Sequence, residues 1–161
     1  MVQRETPAPS IVADTKATAE SPVFTLGYQG RDVEEVLETV RRYGIEQVLD
    51  VRENGSSKKP GFAAADLKDA LARAGIAYVH LPELGCRSES RHALWRGESK
   101  EPFLEDYRRR LAERPQAFAD FVFRIRSARS LLLCLERDPS RCHRAVLVER
   151  LQAAGFRTQD L

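Results

Sequence analysis

The chain is poor in cysteine, carries almost no net charge and contains no long apolar run. Each scarcity excludes something. Three cysteines, Cys86, Cys134 and Cys142, are too few to build the disulfide framework of a small secreted domain, so a reducing cytosol is the expected compartment. No stretch approaches the roughly 20 apolar residues that cross a bilayer. Asp14, Lys16 and Glu20 interrupt the region where a signal peptide needs a continuous apolar segment. No membrane partner is expected. Against 26 Lys+Arg stand 24 Asp+Glu, a formal charge of +2. A chain-wide field for gripping nucleic acid is thereby excluded, and any basic site must be local. The cations are mostly arginine, which suits bidentate contact with phosphate or carboxylate, although a compositional bias of the source genome gives the same count.

What is present is an alternation of short apolar runs with amphipathic stretches in 161 residues, enough for one domain. Residues 1 to about 21 are rich in Pro, Ala, Thr and Ser without periodicity and read as a disordered tail; residues 22–161 form the domain. Val23 to Leu26 is a strand closed by Gly27-Tyr28-Gln29-Gly30. Asp32 caps a helix through about Tyr43, ended by Gly44. Gln47 to Val51, Ile76 to Leu81 and Leu131 to Leu135 are further strands. Helices are expected over Ala63 to Ala74, over Glu101 to about Ser127 with a division at Pro115, and over Arg141 to Ala154. Phe156 to Leu161 offers a fifth strand. Pro82 to Lys100 is left as one loop of nearly twenty residues, long for such a domain. The expected fold is a single three-layer α/β domain. Its mostly parallel sheet has four to five strands, with helices on both faces.

In a parallel sheet the loops after the strands share one rim, where ligands bind. Ser130 to Arg150 puts the most chemistry there. Cys134 ends a strand, Glu136, Arg137 and Asp138 follow, and Arg141, Cys142, His143 and Arg144 fall in the first turn expected for the last helix. Amide N–H groups and the helix dipole there lower a thiol pKa or bind an anion directly. Cys142 is thus a candidate nucleophile, or a packed helix-start cysteine. His143, its neighbour, points elsewhere if both are helical, and can instead reach Glu136 or Asp50. Asp50, at the end of a buried strand, needs a partner. An arginine from another loop is the expected one, leaving open a structural ion pair or a catalytic carboxylate. Glu83 and Glu136 are further acid–base candidates, and Tyr28, Gln29, Arg52, Arg141 and Arg144 are candidate substrate contacts. The lone Trp95 either stacks on a planar ligand or anchors its loop. Cys134, Cys142, His143 and His80 match no zinc knuckle spacing, so no metal and no cofactor is expected.

These motifs together resemble the bacterial and archaeal family called domain of unknown function 488. The residues that carry the likeness are Thr25-Leu26-Gly27-Tyr28, Asp50-Val51-Arg52, Tyr78 to Gly85, Cys134-Leu135-Glu136, Asp138-Pro139 and Cys142-His143-Arg144. The resemblance implies a small α/β domain with an enzyme-like cleft. It departs at Tyr28, where many members look to carry histidine, and at Cys86, where glycine is common.

The expected function is an enzyme acting at the strands' carboxyl ends on an anionic substrate (a nucleotide, nucleic acid or phosphorylated metabolite) by hydrolysis or group transfer. A second reading is cysteine-dependent sulfur transfer, because Asp50-Val51-Arg52-Glu53 is similar to a strand of rhodanese-like domains. Cys134 precedes Arg141 by seven residues with no glycine between, which makes a cradle of N–H groups harder to form. A third is a non-enzymatic nucleic-acid module using Arg108-Arg109-Arg110, although Glu105, Asp106 and Glu113 interleave that run.

Overall fold

A computed structural model describes residues 21–161; residues 1–20, most of the expected tail, lie outside the described residues. The strands are β1 (Val23–Gly27), β2 (Gln47–Asp50), β3 (Ala77–His80), β4 (Ser130–Cys134) and β5 (Thr158–Asp160). The helices are α1 (Val33–Arg42), α2 (Ala64–Arg73), α3 (Ser88–Trp95), α4 (Lys100–Ala112), α5 (Pro115–Ser127) and α6 (Arg144–Ala153). The sheet order is β3-β2-β4-β1-β5, and every pairing is parallel.

Strand side chains alternate between faces, and here the alternation feeds two cores. Val48, Leu131 and Leu133 pack with Val36, Leu37 and Val40 of α1 and Leu67 and Leu71 of α2. Leu49, Val51, Leu132 and Cys134 pack with Leu94 of α3, Phe103 and Tyr107 of α4, Phe121 of α5 and Val146, Leu147 and Leu151 of α6. Helices therefore cover both faces. Leu131, Leu132 and Leu133 are wholly buried, each stabilising the fold by about 1.5–3 kcal/mol.

Two local rules fix the first crossover. Asp32 accepts the Glu35 amide at 2.9 Å and Glu35 accepts the Asp32 amide at 2.8 Å, a reciprocal cap. Gly44 ends the helix at φ +62°. Asp32→Ala is expected to lower stability by about 1 kcal/mol, read as an earlier urea midpoint with an unchanged slope.

Two elements differ from the expectation. The stretch after β3 is not a loop: a 3₁₀ turn (Pro82–Leu84) and α3 occupy it. The helix is weakly amphipathic and buries only Leu94, so apolar spacing gave little to read. The last helix begins at Arg144, not Arg141. Pro139–Arg141 is a separate 3₁₀ turn, and Cys142 is extended (φ −123°, ψ 149°). The Asp138 side chain accepts the Ser140 amide at 2.9 Å and closes that short turn, which then fails to propagate.

The topology also places a reversal. From β2 the chain moves outward to β3, and from β4 it moves the other way, past β1, to β5. The carboxyl ends of β2 and β4 thus flank a switch point, where parallel sheets open a crevice for ligands.

Candidate functional site

At that switch point the extended backbone of Cys142 turns its thiol onto the end of β4. The ligand atoms of Cys134, Cys142 and His143 all lie within 4.8 Å of one another, and all three residues are buried. Because Cys142 is not helical, its side chain and that of His143 converge after all. Cys142 Sγ is 3.8 Å from His143 Nδ1, which corrects the expectation that adjacency would separate them. His143 reaches neither Glu136 nor Asp50: its Nε2 lies 2.7 Å from the Val51 carbonyl, just past β2. A carbonyl only accepts, so Nε2 carries a proton and Nδ1 faces the thiol. The Tyr107 ring covers the imidazole with centroids 5.1 Å apart, and the Tyr107 hydroxyl donates to the Leu84 carbonyl at 2.6 Å.

Arg144 completes the cluster from inside. It is fully buried. Nε lies 3.3 Å from Cys142 Sγ, a nitrogen of the fork lies 3.4 Å from Asp160, and another donates to the Glu136 carbonyl. Burial works against a Cys142 thiolate, but the Cys134 thiol, His143 and Arg144 outweigh it and hold Cys142 well below the ordinary thiol range. The Cys134 thiol, hydrogen-bonded to Cys142 and buried, is pushed well up. Burial also opposes a charged His143, yet the Cys142 thiolate outweighs it and raises the imidazole to about 10. The pair favours thiolate and imidazolium together.

Glu136 stands half-buried beside this cluster. Trp95 Nε1 donates to its carboxylate at 3.0 Å. Burial pushes the carboxyl up, with the Trp95 hydrogen bond opposing. Trp95 is 54% exposed, and the Arg91 guanidinium lies 5.3 Å from its ring centroid. Arg141 is exposed and donates to the Leu94 carbonyl of α3 at 3.4 Å. Gly27 sets how closely the loop after β4 lies on β1: a Cβ there would fall 1.8 Å from the Glu136 carbonyl oxygen.

Asp50 and Arg52 project to the other face. Asp50 is paired not with an arginine from another loop but with Arg52 itself, Nε at 2.8 Å and a second nitrogen at 2.6 Å. The remaining terminal nitrogen of Arg52 donates to Phe62 O at 2.8 Å and Tyr28 Oη at 3.1 Å, and Tyr78 donates to Asp50 at 2.6 Å. Burial disfavours the guanidinium charge, but Asp50 outweighs it and raises the Arg52 pKa. Tyr28 is buried and stacked on Phe62 at 4.2 Å. Gln29 is exposed and accepts the Arg137 amide at 3.3 Å. Glu83 is exposed, and its carbonyl accepts from Arg114 at 2.7 Å.

The structure therefore brings Cys142, His143, Arg144 and the Glu136 backbone into one cluster, with Asp50 and Arg52 behind it through Val51. Glu83 and Gln29 are exposed, and their hydrogen bonds go to Arg114 and to the Leu135–Arg137 loop rather than to the Cys142, His143 or Arg144 side chains. Tyr107 is the participant that sequence reading places only in the core; Cys134 is weighed there as a zinc ligand and a sulfur-transfer thiol but not as a partner of the Cys142 thiol. The period-two pattern of β4, which puts Leu132 and Cys134 on one face, was the available signal for Cys134. Arg108 pairs with Glu149 at 3.0 Å and Glu105 at 3.6 Å, and Arg109 with Asp106 at 3.1 Å, which leaves the basic run on α4 largely neutralised. A hollow of about 310 Å³ lies at the amino ends of the strands, lined by Val23, Ile125, Ser130 and Phe156 among others, and no cysteine or histidine lines it. Among the described residues no helix is long and apolar enough to cross a membrane.

Fold and site together define a parallel α/β domain with a buried cysteine–histidine centre at its switch point. The chain belongs to the domain of unknown function DUF488 family, whose model matches residues 32–151. That stretch contains Asp50-Val51-Arg52 and Cys142-His143-Arg144, while the Thr25 to Tyr28 turn precedes it. No curated protein and no solved structure matches the chain.

Proposed function

We propose that the protein is a cysteine-dependent transferase in which Cys142 takes a sulfane sulfur from a small anionic donor. One observation carries this: Cys142 Sγ is held between Arg144 Nε at 3.3 Å and His143 Nδ1 at 3.8 Å, against the Cys134 thiol. A cationic wall on two sides suits a thiolate nucleophile and an anionic partner. The first reading, acid–base work on a phosphorylated or nucleotide substrate, loses support because Asp50 and Arg52 are spent on each other and Glu83 is exposed.

With thiosulfate the step balances. The Cys142 thiolate attacks the outer sulfur, a new S–S bond forms, the donor S–S bond breaks and sulfite leaves with the electron pair. The Cys142 persulfide then passes its outer sulfur to an acceptor thiolate, and the Cys142 thiolate returns. Arg144 and His143 stabilise the anionic sulfur in both states.

The reduced protein, freed of metal and incubated with thiosulfate, is expected to gain one sulfur atom on the peptide carrying Cys142. Cys142→Ser is expected to abolish both that gain and sulfite release. Intact-mass spectra with no added sulfur on the folded wild-type chain would overturn the reading.

A further inference from the structure

We infer that Cys134, Cys142 and His143 form a binding site for one thiophilic divalent cation of the zinc type. This goes beyond sulfur transfer and uses the same thiols, so cation and sulfur donor are mutually exclusive occupants of one centre.

The donor set is two sulfurs and one imidazole nitrogen, the chemistry that selects zinc over the hard, oxygen-seeking cations. Tetrahedral zinc with bonds of about 2.0–2.3 Å holds its ligand atoms roughly 3.5–3.8 Å apart. Cys142 Sγ and His143 Nδ1 are already 3.8 Å apart, and no pair among the three atoms exceeds 4.8 Å. The widest separation, no more than 4.8 Å, has to close by about an ångström to reach that spacing.

The surroundings are those of a ligand shell. Imidazoles that bind metal through one nitrogen donate the other N–H to a fixed acceptor, which sets the tautomer and aims the free nitrogen. His143 does this: Nε2 donates to the Val51 carbonyl at 2.7 Å and Nδ1 faces the two sulfurs. The Val51 carbonyl is itself fixed, lying between Asp50 and Arg52, which grip each other through two hydrogen bonds. The Arg144 Nε–H at 3.3 Å from Cys142 Sγ is a sulfur-directed hydrogen bond of the kind that supports a bound thiolate. Two thiolates neutralise a divalent cation, and Asp160 at 3.4 Å offsets the Arg144 charge. Three protein ligands leave a fourth tetrahedral position for an exchangeable ligand. Cation binding displaces one proton from Cys134 and one from His143 Nδ1 to solvent, leaving two thiolates and a neutral imidazole as ligands.

The test is an anaerobic titration of the reduced, chelator-treated full chain with cobalt(II), followed by zinc(II). Expected are sulfur-to-cobalt charge-transfer absorption in the near ultraviolet and tetrahedral d–d bands in the visible, both saturating at one equivalent and both bleached by zinc. Cys134→Ser and Cys142→Ser, checked by circular dichroism, are each expected to weaken cobalt binding by more than the roughly 10–100-fold that loss of an outer hydrogen-bonding partner costs. A wild-type chain that develops no charge-transfer band at one equivalent overturns the site without recourse to any variant. So does a folded Cys134→Ser protein that binds cobalt as the wild type does. The persulfide assay on the same metal-free preparation keeps the two readings separate. Added sulfur without cobalt binding overturns the metal site alone, and cobalt binding without added sulfur overturns sulfur transfer alone.

Discussion

Asp50→Asn is expected to destabilise the protein by about 3–5 kcal/mol, the usual cost of removing one partner from a buried ion pair. Asp50 is fully buried and Arg52 is 4% exposed. The substitution keeps the shape of the side chain but leaves the guanidinium facing a neutral amide in a core built from Tyr28, Phe62 and Tyr78. Tyr78 also loses its charged acceptor. Much of the loss is the stranded charge rather than the net worth of the pair, so Asp50→Asn combined with Arg52→Met is expected to cost less than the two single losses added together. Urea unfolding of the four proteins in the cycle measures this. A single-variant loss below about 1 kcal/mol, or strict additivity, would show that Arg52 finds water or another acceptor and that the pair does not hold the end of β2.

The same pair shows how far the sequence could be read. That Asp50 closes a buried strand and needs a cation was legible from Val48-Leu49-Asp50, because an ionised carboxylate in an apolar run must be paired. Its partner was not, because the eye looks to a distant loop, whereas the chain turns back after Val51 so that Arg52 grips its near neighbour in two places. The α/β alternation, the capped first helix and the parallel sheet were all legible, since each rests on periodicity and punctuation within a short window. The α3 segment was not, because a helix that buries only Leu94 leaves no apolar stripe. The site shows the same division. Cys142, His143 and Arg144 were marked by residue type. Their geometry depended on where the last helix starts, and the turn closed by Asp138 delays that start to Arg144. This shift of one turn converts a helix-start thiol aimed at a dipole into an extended residue aimed at Cys134 and His143. The segments after β2 and β4 meet through the Val51 carbonyl, which His143 reaches, but the Asp50 and Arg52 side chains lie on the other face of the sheet with Tyr28 and Phe62.

Arg144→Lys is expected to damage fold and chemistry together, by amounts that can be read separately. The guanidinium serves three partners in three directions: the Cys142 sulfur, Asp160 at the end of β5 and the Glu136 carbonyl. An ammonium on a flexible stem keeps the charge but not the planar fork, so at least one buried acceptor is left bare at about 1–3 kcal/mol. The Glu136 carbonyl is the acceptor left bare, because it lies directly over Gly27, where no side chain fits to replace the lost donor. Stability is therefore expected to fall by about 1–3 kcal/mol in urea unfolding, the cost of the unpaired carbonyl, since Asp160 is 38% exposed and can turn to water. Persulfide yield on Cys142 is expected to drop more than the fraction unfolded explains, because the N–H at 3.3 Å from the thiolate is gone. Arg144→Lys protein that is fully folded and forms persulfide at the wild-type rate would show that Arg144 is a strut between β4 and β5 and nothing more. A folded variant that has lost persulfide formation while Cys134 and Cys142 still bind cobalt would place its role in steadying the reactive sulfur.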